Sequence, residues 1–94
     1  MKSPQERSEE AIGAIKALYE TEGGSTGGYG HIVFDDYNTE DHWIGTCINN
    51  CITASYKDTY SEAVRTASFR ALRLILEVDE ELRFDVIRKA LTDD

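Results

Sequence analysis

Tyr60-Ser61-Glu62-Ala63-Val64-Arg65-Thr66-Ala67-Ser68-Phe69-Arg70-Ala71-Leu72-Arg73-Leu74-Ile75-Leu76-Glu77-Val78 is the stretch that decides the fold. Its apolar residues recur at three- and four-residue spacing, which is the period of a helix. One stripe is Tyr60, Val64, Ala67, Ala71, Ile75 and Val78, and a second is Phe69, Leu72 and Leu76. A helix that is apolar on more than one side belongs in the middle of a bundle. Arg65, Arg70 and Arg73 then take the exposed edge that remains. Thr59, with Glu62 three residues on, has the form of a capping box, so the spacing predicts a helix over 60–78.

The segments on either side supply partners for that helix. Asp79 ends it or caps the next, in which Leu82, Val86, Ile87, Ala90 and Leu91 give an amphipathic helix over 80–91. At the front, Ser3 and Glu6 form a capping box around Pro4, which suits a first helical position. Ala11, Ile12, Ala14, Ile15, Leu18 and Tyr19 follow at helical spacing, and Gly23-Gly24 stops the helix, predicted over 4–21. Its outer face carries Glu9, Glu10, Lys16 and Glu20. Gly13 weakens it by ~1 kcal/mol relative to Ala and leaves room for another element to approach. A further helix is predicted over 39–53, capped by Asn38, with Ile44, Cys47, Ile48, Cys51 and Ile52 as its buried stripe and Trp43 at its mouth. The fold class expected is mainly α: one domain over 1–94, a bundle of about four helices.

Between the first two helices lies the least ordinary part of the chain, Gly28-Tyr29-Gly30-His31-Ile32-Val33-Phe34-Asp35-Asp36-Tyr37-Asn38-Thr39-Glu40-Asp41-His42-Trp43. Five glycines fall within residues 23–30. A phosphate loop follows a strand and opens a helix, whereas this one follows a helix, and no Lys or Arg lies between Lys16 and Lys57. It reads as a connector. His31 to Phe34 is β-branched and aromatic, a short strand over 31–34. A single strand leaves unpaired edges, so it pairs with loop residues near Tyr29 or Ser55–Lys57 or with the same strand of a second molecule, and the last option motivates a homodimer. Asp35-Asp36-Tyr37-Asn38 is a turn by composition.

The chain has a net charge of −8. Residues 1–50 hold nine acids against three bases, and residues 51–94 nine against seven. That balance opposes direct nucleic-acid binding, which needs a surplus of Lys and Arg. No apolar run spans a bilayer and Met1 to Glu10 has no signal-peptide core, so the expected location is the cytoplasm, with no membrane partner. Cys47 and Cys51 lie one helical turn apart and read as two buried thiols; a metal site there needs two more ligands.

Candidate binding residues cluster in that same stretch: Tyr29, His31, Asp35, Asp36, Tyr37, Glu40, Asp41 and His42. Each acid has a local role in a turn or a helix start, where the dipole favours negative charge. A metal or nucleotide site built on His31, Asp35, Asp36 and His42 is the alternative reading. The spacing matches no His-Glu-x-x-His pattern, no serine lies in a strand-to-helix elbow, and Asp35 and Asp36 point to opposite strand faces. No catalytic residue, cofactor or resident metal is expected.

The run from Gly28 to Asp41 resembles a segment of a family of small phage and prophage proteins. That family has the pattern Gly-Gly, two or three residues, His-Ile-Val, one residue, Asp-Asp, one residue, Asn, one residue, Glu-Asp. His31, Asp36, Asn38, Glu40 and Asp41 match it. A cysteine near the place of Cys47, and a last helix opening like Asp79-Glu80-Glu81-Leu82-Arg83, extend the likeness over most of residues 23–91. The longer, Arg-rich segment from Tyr60 to Leu76 departs from it. The family has no established activity, so the resemblance implies a mobile-element origin and no reaction. Charge, size and resemblance together lead to the expectation of a non-catalytic acidic interaction protein. It would bind a protein partner with a basic surface, such as a host defence protein that it inhibits.

Overall fold

The computed structural model describes residues 1–21 and 39–92. The predicted glycine-rich loop 23–30, the strand 31–34 and the turn Asp35 to Asn38 lie outside the described residues. Four α-helices make up the described fold: α1 (Pro4–Thr21), α2 (Glu40–Tyr56), α3 (Glu62–Glu77) and α4 (Arg83–Thr92). A 3-10 turn, Glu80–Leu82, leads into α4.

The start of α1 follows from its capping box. The Glu6 N–H donates to Ser3 Oγ at 3.1 Å and the Ser3 N–H donates to Glu6 Oε1 at 3.0 Å. The expected start of α2 is displaced. Its cap is Thr39 rather than Asn38: Thr39 Oγ1 accepts the His42 N–H at 3.1 Å. The helix runs on to Tyr56, past the expected end at Thr53, because no Gly or Pro interrupts Ala54-Ser55-Tyr56.

At α3 the cap is Ser61, not Thr59. Ser61 Oγ accepts the Val64 N–H at 3.2 Å. Tyr60 is held outside the helix, its N–H donating to the Lys57 carbonyl at 3.2 Å and its own carbonyl accepting from the Arg65 guanidinium. The last helix is also shorter than 80–91 in its α-helical part, since Glu80–Leu82 is 3-10 and α4 proper starts at Arg83. Asp79 makes no side-chain cap bond.

Helix α3 packs against both α1 and α2, and α4 packs against the same two helices. The core is drawn from all four: Ala11, Ala14, Ile15 and Leu18; Trp43, Cys47, Cys51 and Ala54; Val64, Ala71, Leu74, Ile75 and Val78; Val86, Ile87 and Ala90. Alanines at the contacts allow close approach, and the larger side chains fill the space between. Ser68 is the one polar residue in this core among the described residues, and its hydroxyl is satisfied by donating to the Val64 carbonyl at 2.7 Å.

Three expectations about packing are corrected. The second stripe of α3 is not buried: Phe69 is 61% and Leu76 51% exposed, with Leu72 partly covered. On α2, Trp43 is buried while Ile52 is 41% exposed, so the inward stripe is Trp43, Cys47, Cys51 and Ala54. Gly13 is exposed, and a Cβ built on it meets nothing within 4 Å, so among the described residues no neighbouring element uses the space.

Two arginines join elements that sequence spacing does not connect. The Arg83 side chain turns back to α3, donating to the Leu76 carbonyl at 3.0 Å and the Val78 carbonyl at 3.2 Å. It thereby satisfies carbonyls at a helix C-terminus, where a cation also suits the dipole. Arg7 donates to the Lys2 carbonyl at 2.8 Å and pairs with Asp79 at 3.4 Å, tying the start of α1 to the α3–α4 connection.

Candidate functional site

Of the eight predicted binding residues, Tyr29, His31, Asp35, Asp36 and Tyr37 lie outside the described residues. Glu40, Asp41 and His42 form the first turn of α2 and are all exposed. Successive helical residues are ~100° apart, so these three side chains fan out rather than converge. Their positions suit a capped N-terminus, where Glu40 and Asp41 meet the positive end of the dipole. Among the described residues no group of three His, Cys, Asp or Glu side chains is placed to hold a metal ion.

Cys47 and Cys51 are free and fully buried on α2. The neighbouring Cys51 thiol, together with burial, pushes the Cys47 thiol well above its usual value. A protonated, water-excluded thiol such as Cys47 is a poor nucleophile and a poor ligand. This pair fills space next to Ala54 and the inner face of α3.

The acids of the front half are displayed outward. Glu6, Glu9 and Glu20 on α1, and Glu40 and Asp41 on α2, are exposed. Glu10 is bound by Lys2 at 2.7 Å, whereas Glu20, Glu40 and Asp41 make no ion pair among the described residues. Donation from the Ser3 backbone N–H, helped by its hydroxyl, holds the Glu6 carboxyl below its usual value of 4.5. Glu6 therefore stays charged down into mild acid. Exposed carboxylates of this kind offer long-range attraction to cations and little affinity each.

The feature that sequence reasoning missed lies on the back half. A shallow depression of about 270 Å³ is lined by Ser55 of α2 and by Glu62, Arg65, Thr66 and Phe69 of α3. Phe69 and Leu76 follow each other along the outside of α3, and Tyr56, next to Ser55, is 65% exposed. A signal existed in the sequence. Phe69 and Leu76 are seven apart and sit roughly opposite Ala71, Ile75 and Val78 on a helical wheel, too far round to share one core.

No helix among the described residues is long and apolar enough to cross a membrane. Comparison of the chain with family models, with curated proteins and with solved structures finds no match.

Proposed function

We propose that the chain is a non-catalytic interaction protein of mobile-element origin, which uses its acidic front half to bind a basic surface on a host protein and so inhibit it. The observation that carries this reading is the net charge of −8, with Glu20, Glu40 and Asp41 displayed on α1 and α2 without an ion-pair partner among the described residues. Such a surface raises the rate of encounter with a basic partner and selects against acidic ones. A surface that normally holds nucleic acid has the matching chemistry, and a host defence protein fits that description. The likeness to phage and prophage proteins in the Gly28–Asp41 run supports the origin and the bacterial setting.

The test is capture of proteins from a bacterial lysate at rising salt. A partner held at low salt should be released as screening increases, and the triple variant Glu20→Lys, Glu40→Lys, Asp41→Lys should not retain it. Failure to hold any protein even at low salt removes the reading. A melting temperature raised by zinc, manganese or a nucleotide, and lost in His42→Ala, would replace it with a small-ligand site.

A further inference from the structure

We infer that the outer face of α3 is a second docking surface, opposite in charge to the rest of the molecule, which takes an acidic amphipathic helix from a partner protein. The inference does not depend on the acidic front half having a partner.

Its apolar part is Phe69 and Leu76, both more than half exposed and seven residues apart. That spacing puts them two turns and about 10 Å from each other in one line along the helix. A partner helix carrying its own apolar pair at the same spacing would lie along that line. The depression beside Phe69 offers a seat for one such side chain. Phe69 and Leu76 are on the side of α3 away from the core, so nothing in the packing of the described residues requires them to be apolar.

The charge of the strip identifies the occupant. From Glu62 to Glu77 the helix has Arg65, Arg70 and Arg73 against one acid at each end, Glu62 also lining the depression, although acids outnumber bases eighteen to ten overall. Arg70 and Arg73 are exposed and make no ion pair among the described residues. Arg65 is partly engaged, donating to the Tyr60 carbonyl. An isologous pairing of two α3 faces would set arginine against arginine, which disfavours a second copy. Glu62 and Glu77 bound the strip at both ends. A nucleic acid or an anionic membrane would extend well past them into an acidic molecule, whereas a helix of a few turns meets chiefly the three arginines between them.

The experiment uses the full chain as bait in a display selection over random peptides of about eighteen residues, long enough for five helical turns. Enriched peptides are then resynthesised and their affinity is read by fluorescence anisotropy. The expected pool is rich in Glu and Asp with apolar residues seven apart. Binding should fall about tenfold or more in Phe69→Ser and in the double variant Arg70→Glu, Arg73→Glu. Both variants change exposed side chains, and an unchanged melting temperature confirms that they fold. Enrichment of basic or uncharged peptides, or no enrichment, overturns the inference. So does peptide binding that survives the arginine reversal. A concentration-dependent dimer that Phe69→Ser converts to monomer would assign the face to a second copy. Binding of labelled RNA or DNA oligonucleotides that is lost in the arginine variant would assign it to nucleic acid.

Discussion

Ile75 and Leu76 are neighbours in sequence and nearly equal in size, yet one is sealed in the core while the other is half in water. The same division runs the length of α3. Val64, Ala71 and Ile75 are buried in the core that α3 shares with α1 and α2, while Phe69 and Leu76 face outward. Hydrophobicity alone does not separate the two sets. Position on the helix does, because a 3.6-residue period puts only one side of a helix against its neighbours at a time. Apolar character on the inner side is explained by packing. On the outer side it is left for recognition to explain.

The sharpest way to break this comparison is to truncate both neighbours. Ile75→Ala should destabilise by ~3 kcal/mol, since it empties a fully packed site, while Leu76→Ala should cost less than ~1 kcal/mol. Urea unfolding of the two variants measures the difference, and equal costs would mean that the outer face is buried in solution. Arg83→Ala comes next. Losing the guanidinium leaves the Leu76 and Val78 carbonyls to water and should cost about 1–2 kcal/mol, with hydrogen exchange at the end of α3 rising before that of its middle.

A gain is expected at Gly13 and Gly45. Both are helical and a Cβ at either meets open space, so each change to Ala should stabilise by up to ~1 kcal/mol. For a domain of this size that raises the melting temperature by about 4–8 °C. A loss at either site would show that an element packs there after all. The smallest effect is at Glu6. Its carboxyl is lowered in the native state, so its contribution is full above the usual value of 4.5 and is lost as pH falls below that toward the native value. Glu6→Gln should therefore flatten the acid side of the stability curve slightly and leave the alkaline side unchanged. An unaltered acid slope would mean the capping box does not form in solution.

How legible the chain was depended on how much competition each signal faced. The α1 boundaries, Pro4 and Thr21, were readable because one capping box opens the helix and paired glycines follow it. The starts of α2 and α3 moved by one and two residues because two residues able to cap lie close together at each, Asn38 and Thr39, or Thr59 and Ser61. Arg83 turning back onto α3 has no local signature at all, since it depends on the angle at which α4 departs. At the candidate site, Glu40, Asp41 and His42 are adjacent in sequence, and the helix that makes them adjacent also turns them apart. The exposure of Phe69 and Leu76 was open to reading, but counting apolar residues on α3 without fixing their angle to the core concealed it.

Cys47 and Cys51 give the molecule a built-in reporter. Both thiols lie inside, on the helix that carries Trp43. A reagent that attacks sulfur can reach them only when α2 lifts away, so alkylation rate counts openings of this one helix rather than events at the surface. Modification at either position would also jam the helix from reseating, making a brief excursion permanent.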